Sequence, residues 1–222
     1  MAKVIICAGG PNPALDHLRI KEEDILIGVD RGAYRLIKAG FTLTHAFGDF
    51  DSVSASELVF IEENTQTLHR YPSEKDDTDL QLALLYVLEH YSQYETIAIY
   101  GALGGGGRVD HFLANIWLVL EPRFENIVEK LHFIETQHQA RFYQPGHHQL
   151  LNPSQAKYLS IISLTPVSSW QIKGAKYNLP ATDFKTPTAL ISNEFITNRP
   201  TIELSFTKGM ISVLWVQDDH YF

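Results

Sequence analysis

Three features are scarce in this sequence, and each scarcity excludes a class of protein. One of the 222 residues is cysteine, Cys7, so a disulfide framework within the chain is excluded. No apolar run approaches the ~20 residues that a membrane-spanning helix needs. The net charge is −8 and lysine and arginine form no cluster, which argues against a nucleic-acid or anionic-membrane surface. The first apolar run stops at Gly9, too soon for a signal peptide, so a cytoplasmic protein is expected.

The first half of the chain alternates between strand and helix patterns. Continuous apolar runs predict buried strands, and apolar residues at helical spacing predict helices between them. The predicted strands are 4–8, 25–29, 44–47, 67–71 and 96–100, and the predicted helices are 33–39, 54–63, 80–90 and a last one reaching 120. This alternation predicts an α/β domain with a parallel sheet over residues 1–124.

Beyond residue 124 the pattern changes to short β-prone runs separated by turns. These runs are 130–136, 140–143, 158–164, 177–179, 189–191, 201–206 and 210–216. No convincing amphipathic helix interrupts them. The sequence therefore predicts a second, all-β domain over residues 125–222, built as a small sandwich.

Two carboxylates, Asp49 and Asp51, follow the third predicted strand directly after Gly48. Because they are two residues apart, an extended backbone points both to the same side. Such a pair suits Mg²⁺, above all where phosphates complete the coordination shell. A turn in which the aspartates accept backbone hydrogen bonds explains the same pattern, and the pair alone leaves both interpretations open.

Further charged residues follow the other predicted strands. Asp30 ends the second strand and is either a ligand-binding or a helix-capping residue, and Arg31 is either a phosphate contact or solvated. Three aspartates lie within residues 76–79, at the start of a helix. Capping explains one of them, but three repel one another unless a metal ion or Lys75 offsets their charge.

A glycine-rich segment, residues 101–107, leads from the fifth strand into a helix. Arg108, Asp110 and His111 follow it immediately. A glycine-rich loop that opens a helix and carries an arginine is typical of a phosphate cradle, whereas a flexible linker is the other interpretation.

Taken together, these motifs stand at the ends of successive strands in a fixed order. They are Gly9-Gly10-Pro11, Asp30-Arg31-Gly32-Ala33, Gly48-Asp49-Phe50-Asp51-Ser52, Asp76-Asp77-Thr78-Asp79 and Gly107-Arg108-Val109-Asp110-His111, with residues 174–179 and 191–195 in the β-rich part. In this order and spacing the chain resembles bacterial thiamine pyrophosphokinases over nearly its whole length. It departs from them in having four glycines before Arg108 instead of two.

The resemblance implies a Rossmann-like N-terminal domain, a C-terminal β-sandwich, and a homodimer whose sites are shared between subunits. It also implies the Mg²⁺-dependent transfer of pyrophosphate from ATP to the thiamine hydroxyl, giving thiamine diphosphate and AMP. By this resemblance Asp49, Asp51 and Asp79 hold the metal. Asp30, Arg108 and Asp110 contact nucleotide, phosphate or metal, and Arg31, Thr78 and His111 bind substrate. Tyr177, Ser192 and Asn193 approach thiamine, although Tyr177 is also compatible with an ordinary core position.

Two other functions fit parts of the pattern. An Asp-x-Asp pair also serves Mg²⁺-dependent phosphohydrolases, with Asp49 as the nucleophile. A nucleotide-sensing module without catalysis would explain the phosphate-binding features, but it has no need for so many carboxylates near the nucleotide.

Overall fold

The computed structural model describes residues 2–16, 18–104, 107–197 and 201–217, which form two compact units. The first unit contains residues up to 118 together with 130–136, and the second contains 119–129 and the chain from 137 onwards. Among the described residues, no helix is long and apolar enough to cross a membrane.

Six parallel strands form the sheet of the first unit. They are β1 Val4–Cys7, β2 Ile25–Val29, β3 Leu43–Gly48, β4 Thr65–Arg70, β5 Ile97–Tyr100 and β6 Leu131–Ile134. Their spatial order is β6-β5-β1-β2-β3-β4. The chain therefore proceeds outward from β1 on one side and from β5 on the other. In open α/β sheets, the crevice at such a switch point is where ligands bind.

Four α-helices connect these strands: α1 Arg31–Lys38, α2 Ala55–Glu63, α3 Asp79–His90 and α4 Val109–Trp117. They confirm the predicted helices, and the chain after α4 continues in 3-10 turns at Leu118–Leu120 and Pro122–Lys130. Both α2 and α3 begin with a capping box, formed by Ser54 with Glu57 and by Thr78 with Gln81. The apolar face of α3 is buried, as its helical spacing predicts.

In the described part of the second unit there are eight antiparallel strands: β7 His138–Tyr143, β8 Gly146–Leu151, β9 Tyr158–Ser163, β10 Val167–Lys173, β11 Leu179–Phe184, β12 Ala189–Asn193, β13 Thr201–Phe206 and β14 Ile211–Val216. Within this unit they lie in the orders β12-β9-β14-β7 and β11-β10-β13-β8. Both sets contribute to one buried cluster, with Trp170 and Leu204 from the second set packed with Ile161 and Val213 from the first. The unit is therefore a β-sandwich, as predicted.

Three details of the β-rich half differ from the sequence-based expectation. The run at 130–136 was expected in the all-β domain, but β6 pairs in parallel with β5 and belongs to the first unit. Strands β8 and β10 were not predicted, because their outward positions are histidine, glutamine and serine, which break the apolar pattern. The run at 177–179 contributes only Leu179 to a strand, since β11 extends from there to Phe184.

Candidate functional site

A cleft of about 570 Å³ lies at the carboxyl ends of the parallel strands in the first unit. The loops after β1, β2, β3, β4 and β5 and the start of α4 all line it. Eight of the predicted site residues are among its lining: Asp30, Arg31, Asp49, Asp51, Thr78, Asp79, Arg108 and His111. The sequence motifs of the first half therefore meet in one place.

The ends of β2 and β3 are locked together by a close approach at Asp30. The Asp30 backbone has φ 48° and ψ −124°, an uncommon conformation for a residue with a side chain. Its Oδ1 accepts a hydrogen bond of 3.4 Å from the Phe50 amide. A Cβ atom added to Gly48 would lie 2.0 Å from the same oxygen. Position 48 thus has to be glycine for the Asp30 carboxyl group to face the cleft.

Negative charge is crowded around Asp30. Burial raises the pKa of its carboxyl group to about 7, and the neighbouring carboxylates of Asp79 and Asp49 also raise it. The Phe50 amide and the Lys75 ammonium act in the opposite direction, each with a smaller effect than burial. The cleft therefore contains more carboxylates than its own donors stabilise, which is typical of a site that receives a cation.

Lys75 provides a positive charge between two of these carboxylates. Its Nζ lies 3.1 Å from Asp79 Oδ1 and 3.8 Å from Asp49 Oδ2. The three side chains are only 13–18% exposed. Asp79 Oδ1 is buried, and despite this close ammonium it has no partner in hydrogen-bonding geometry among the described residues. This oxygen therefore remains available to a stronger ligand.

The predicted metal ligands fit Mg²⁺ as donors but do not form a finished cage. No group of three or more acidic, histidine or cysteine side chains is arranged to hold a metal among the described residues. Asp51 is exposed, and its amide donates a 3.1 Å hydrogen bond to Asp49 Oδ1. In phosphoryl-transfer sites, however, Mg²⁺ is held by one or two carboxylates together with substrate phosphates. Asp49 and Asp79 suit a magnesium ion that arrives with a polyphosphate.

Arg31 forms an ion pair with Glu57 in the first turn of α2. It donates hydrogen bonds of 3.2 and 3.3 Å to the Glu57 carboxylate and one of 2.8 Å to the Ser52 carbonyl oxygen. These contacts connect the end of β2 to the loop that carries the Asp-x-Asp pair. In this arrangement Arg31 lines the cleft and holds that loop in place.

Arg108 and Asp110 form an exposed ion pair at the start of α4. The Arg108 Nε donates a 3.2 Å hydrogen bond to Asp110 Oδ1. This hydrogen bond lowers the pKa of the Asp110 carboxyl group to about 2. Arg108 and His111 line the cleft, whereas Asp110 is not among its lining residues. The predicted phosphate-binding arginine thus has access to the cleft, and residues 105 and 106 of its loop lie outside the described chain.

Three polar residues that the sequence reasoning missed hold the loops around the cleft. Arg35 donates a 2.8 Å hydrogen bond to the Gly9 carbonyl oxygen and another to that of Gly10. Asn115, which is buried, donates to the Ala102 carbonyl oxygen at 2.8 Å. Glu135 accepts from the Leu103 amide at 2.9 Å. A signal was present for Asn115, since it is an amide on the apolar face of a predicted helix.

In the second unit, the two predicted thiamine-side segments lie side by side. The Asn193 side chain accepts a 2.9 Å hydrogen bond from the Tyr177 amide and donates one of 2.8 Å to the Tyr177 carbonyl oxygen. A backbone bridge between Ala175 and Phe195 continues this pairing. Asn193 is buried and its amide group is used internally, so it positions Tyr177.

Tyr177 itself faces solvent. Its side chain is 59% exposed, and Ile191 of β12 is also exposed, at 67%. The interpretation of Tyr177 as sandwich core is therefore wrong. Ser192 is also exposed, and its backbone has the positive φ of 59°. An exposed aromatic ring on a rigidly held loop is suited to stacking on a planar ligand.

Comparisons with known proteins match both units. The family description "Thiamin pyrophosphokinase, catalytic domain" matches residues 17–130, and "Thiamin pyrophosphokinase, vitamin B1 binding domain" matches residues 147–211. A curated thiamine pyrophosphokinase from Bacillus subtilis is 37% identical over 218 residues, covering 96% of this chain and 98% of that protein. The chain belongs to the thiamine pyrophosphokinase family.

Solved structures of other thiamine pyrophosphokinases have the same fold. A thiamin pyrophosphokinase family protein from Enterococcus faecalis superposes with a TM-score of 0.88 at 39% identity, covering 98% of this chain and all of that one. The Bacillus subtilis thiamine pyrophosphokinase gives 0.85 at 35% identity, with 98% and 100% covered. The yeast thiamin pyrophosphokinase, at 11% identity and a TM-score of 0.71, shares the fold.

The two family matches cover different groups of candidate residues. The catalytic-domain match includes all eight predicted residues that line the acidic cleft. The vitamin B1 binding match includes Tyr177, Ser192 and Asn193.

Proposed function

We propose that the protein is a thiamine pyrophosphokinase that transfers the pyrophosphoryl group of Mg²⁺-bound ATP to the hydroxyl of thiamine, giving thiamine diphosphate and AMP. The observation that carries this proposal is the crowding of Asp30, Asp49 and Asp79 around one ammonium group. It occurs in the loops after β2, β3 and β4, in a chain that belongs to the thiamine pyrophosphokinase family. An acidic cleft of this kind repels a polyphosphate unless a divalent cation accompanies it.

In the reaction, the thiamine hydroxyl oxygen attacks the β-phosphorus of ATP and the bond from that phosphorus to the oxygen of AMP breaks. The hydroxyl proton is released, so atoms and charge balance. When bound, Mg²⁺ would neutralise negative charge on the transferred pyrophosphoryl group and on the departing AMP. Asp49 and Asp79 would hold the ion, with Asp51 beside them, and Arg108 would contact the phosphates. Most of the catalysis then comes from positioning and electrostatic stabilisation.

Thiamine recognition is assigned to the exposed ring of Tyr177 and to Ser192. The thiazolium ring of thiamine carries a positive charge, so stacking on Tyr177 adds a cation–π attraction of about 0.5–2 kcal/mol. Asn193 contributes by fixing the backbone on both sides of that ring.

The protein is further proposed to be a homodimer in which the thiamine-side residues of one chain serve the cleft of its partner. Two-fold dimers with shared sites allow a direct test by mixing. Asp79→Asn and Tyr177→Ala proteins, each inactive alone, should recover part of the activity once their subunits exchange. Heterodimers that are detected by mass and stay inactive would contradict a shared site.

The experiment that tests the activity is incubation with thiamine and MgATP, followed by quantification of AMP and thiamine diphosphate. The two products should accumulate in equal amounts, and neither should form without thiamine or with the metal chelated. Release of phosphate from phosphomonoesters without any need for thiamine would favour a phosphohydrolase instead. ATP binding without turnover would favour the sensing module.

A further inference from the structure

The ammonium group of Lys75 occupies the position where a metal ion is expected. It contacts the carboxylates of Asp79 and Asp49 at 3.1 and 3.8 Å and donates a 3.0 Å hydrogen bond to the Pro72 carbonyl oxygen. Its neighbours are thus three oxygen atoms, and its side chain is 15% exposed. Oxygen ligands of this type are the ones that Mg²⁺ prefers.

This ammonium compensates a repulsion that the cleft otherwise contains. Asp79 and Asp49 both lie close enough to the partly buried Asp30 to disfavour its ionisation. A cation between Asp49 and Asp79 holds both side chains in the cleft before any ligand arrives. A lysine can perform this role reversibly, because its charge sits at the end of a flexible four-carbon stem.

A metal ion and this ammonium cannot share the same two carboxylates. Two positive charges a few ångströms apart repel strongly inside a partly buried cleft. Lys75 therefore has to leave when Mg²⁺ binds to Asp79, because its ammonium nitrogen lies 3.1 Å from Asp79 Oδ1. Lys75 lines the same cleft that is assigned to the polyphosphate. The displaced ammonium group can therefore form an ion pair with the phosphate oxygens.

We propose that Lys75 is an internal counter-ion that holds Asp49 and Asp79 in the metal-free protein, opposes metal binding without nucleotide, and moves onto the polyphosphate when MgATP enters. This rests on the proposed function for its last step only. Lys75 is then a catalytic residue that makes metal binding conditional on the substrate.

The first test is metal binding without nucleotide or thiamine. Mn²⁺ serves as a paramagnetic probe for the Mg²⁺ site, and its binding is followed by electron paramagnetic resonance in wild type, Lys75→Met and Lys21→Met. Lys21 is the matched control, since it is 65% exposed and pairs with Glu23 outside the cleft. Lys75→Met should bind Mn²⁺ at least about tenfold more tightly than wild type, because the competing charge is gone. Lys21→Met should equal wild type, and unchanged or weaker binding by Lys75→Met would overturn the proposal.

Folding of the variant is controlled by a charge-preserving substitution. Lys75→Arg keeps a cation next to both carboxylates, so it should bind Mn²⁺ as weakly as wild type does. Lys75→Met should melt at a lower temperature in chelator and recover on addition of Mn²⁺. If Lys75→Met does not fold even with Mn²⁺, then tight Mn²⁺ binding by Lys75→Arg would overturn the counter-ion role and weak binding would support it.

The second test addresses the movement onto phosphate. Calorimetric titration with α,β-methylene-ATP, whose link between the α- and β-phosphorus cannot be broken in this reaction, in the presence of Mg²⁺ should show at least about tenfold weaker binding to Lys75→Met. Unchanged affinity would refute the contact with the polyphosphate. The Mn²⁺ titration involves no substrate. If Lys75→Met does not bind Mn²⁺ more tightly although the wild-type protein makes thiamine diphosphate, only the counter-ion role of Lys75 is refuted. Conversely, tightened Mn²⁺ binding in a protein that makes no product refutes the proposed function and leaves the counter-ion role supported.

Discussion

At the scale of single residues, the site depends on groups that come very close to one another. Asp30 and Gly48 come from different strands, yet the Asp30 carboxyl group fills the space where a side chain at 48 would stand. An aspartate at 30 and a glycine at 48 do not by themselves predict this contact from the sequence. The close approach of the Asp30 carboxyl group is the structural reason for glycine at position 48.

Gly48→Ala should therefore reduce both stability and activity. The new Cβ would overlap Asp30 Oδ1, so the carboxyl group or the end of β3 has to move, at a cost of about 1–3 kcal/mol. Gly9→Ala is the control, because a Cβ there meets nothing within 4 Å in the described chain. Melting temperatures measured in chelator check the stability. Equal melting temperatures for Gly48→Ala and wild type would show that the close approach is not real.

At the scale of elements, the sequence predicted the strands and helices whose patterns are strong. The apolar runs of β1 and β2 and the buried face of α3 follow from periodicity, whereas the cap of α3 is Thr78 and not one of the aspartates that were considered for that role. Strands β8 and β10 were not predicted because their exposed faces are polar. Strand β6 was assigned to the wrong sheet because the sequence of a short strand does not indicate which strand it pairs with. The position of Lys75 could not be predicted, since Asp49 reaches it from another strand end.

One element of the first unit should make the fold sensitive to acid. His45 of β3 is buried, with Nε2 2.6 Å from the Tyr91 hydroxyl and Nδ1 3.2 Å from His69 Nε2. Burial, together with the smaller effects of the charges of His69 and His90, lowers the pKa of His45 from 6.5 to about 4. Between pH 6.5 and 4 the unfolded chain then binds a proton that the folded protein does not bind. Stability should fall as the pH drops through this window, by at most about 3 kcal/mol from His45.

The measurement is the melting temperature of wild type, His45→Gln and His138→Gln at pH 7, 5.5 and 4.5. Glutamine at 45 cannot take up the proton, so its curve should lose less stability on acidification than the wild-type curve does. His138 is exposed, and its replacement should leave the wild-type dependence unchanged. Parallel curves for His45→Gln and wild type would contradict this account of β3.

At the scale of the whole molecule, the order and spacing of motifs predicted more than any single motif did. Each motif had a plausible structural interpretation by itself. Together they predicted a metal- and nucleotide-binding site in a parallel α/β domain and a thiamine-side tyrosine in a β-sandwich, and the structure adds that the cleft is acidic and the ring exposed. The family matches divide the chain in the same way, with residues 17–130 for the catalytic domain and 147–211 for the vitamin B1 binding domain. The loop-holding residues Arg35 and Glu135 were missed because their partners are backbone carbonyl and amide groups, which a sequence does not reveal.

The central claim is that the bond formed joins thiamine to the β-phosphorus of ATP. The most direct test uses ATP radiolabelled at the β-phosphorus, with thiamine and Mg²⁺, and Asp79→Asn as the control for the cleft. The account predicts that the label moves into thiamine diphosphate while unlabelled AMP forms in equal amount, and that Asp79→Asn loses most of this transfer. Label that stays in ADP while thiamine monophosphate appears, or label that is released as inorganic phosphate without thiamine, would contradict it.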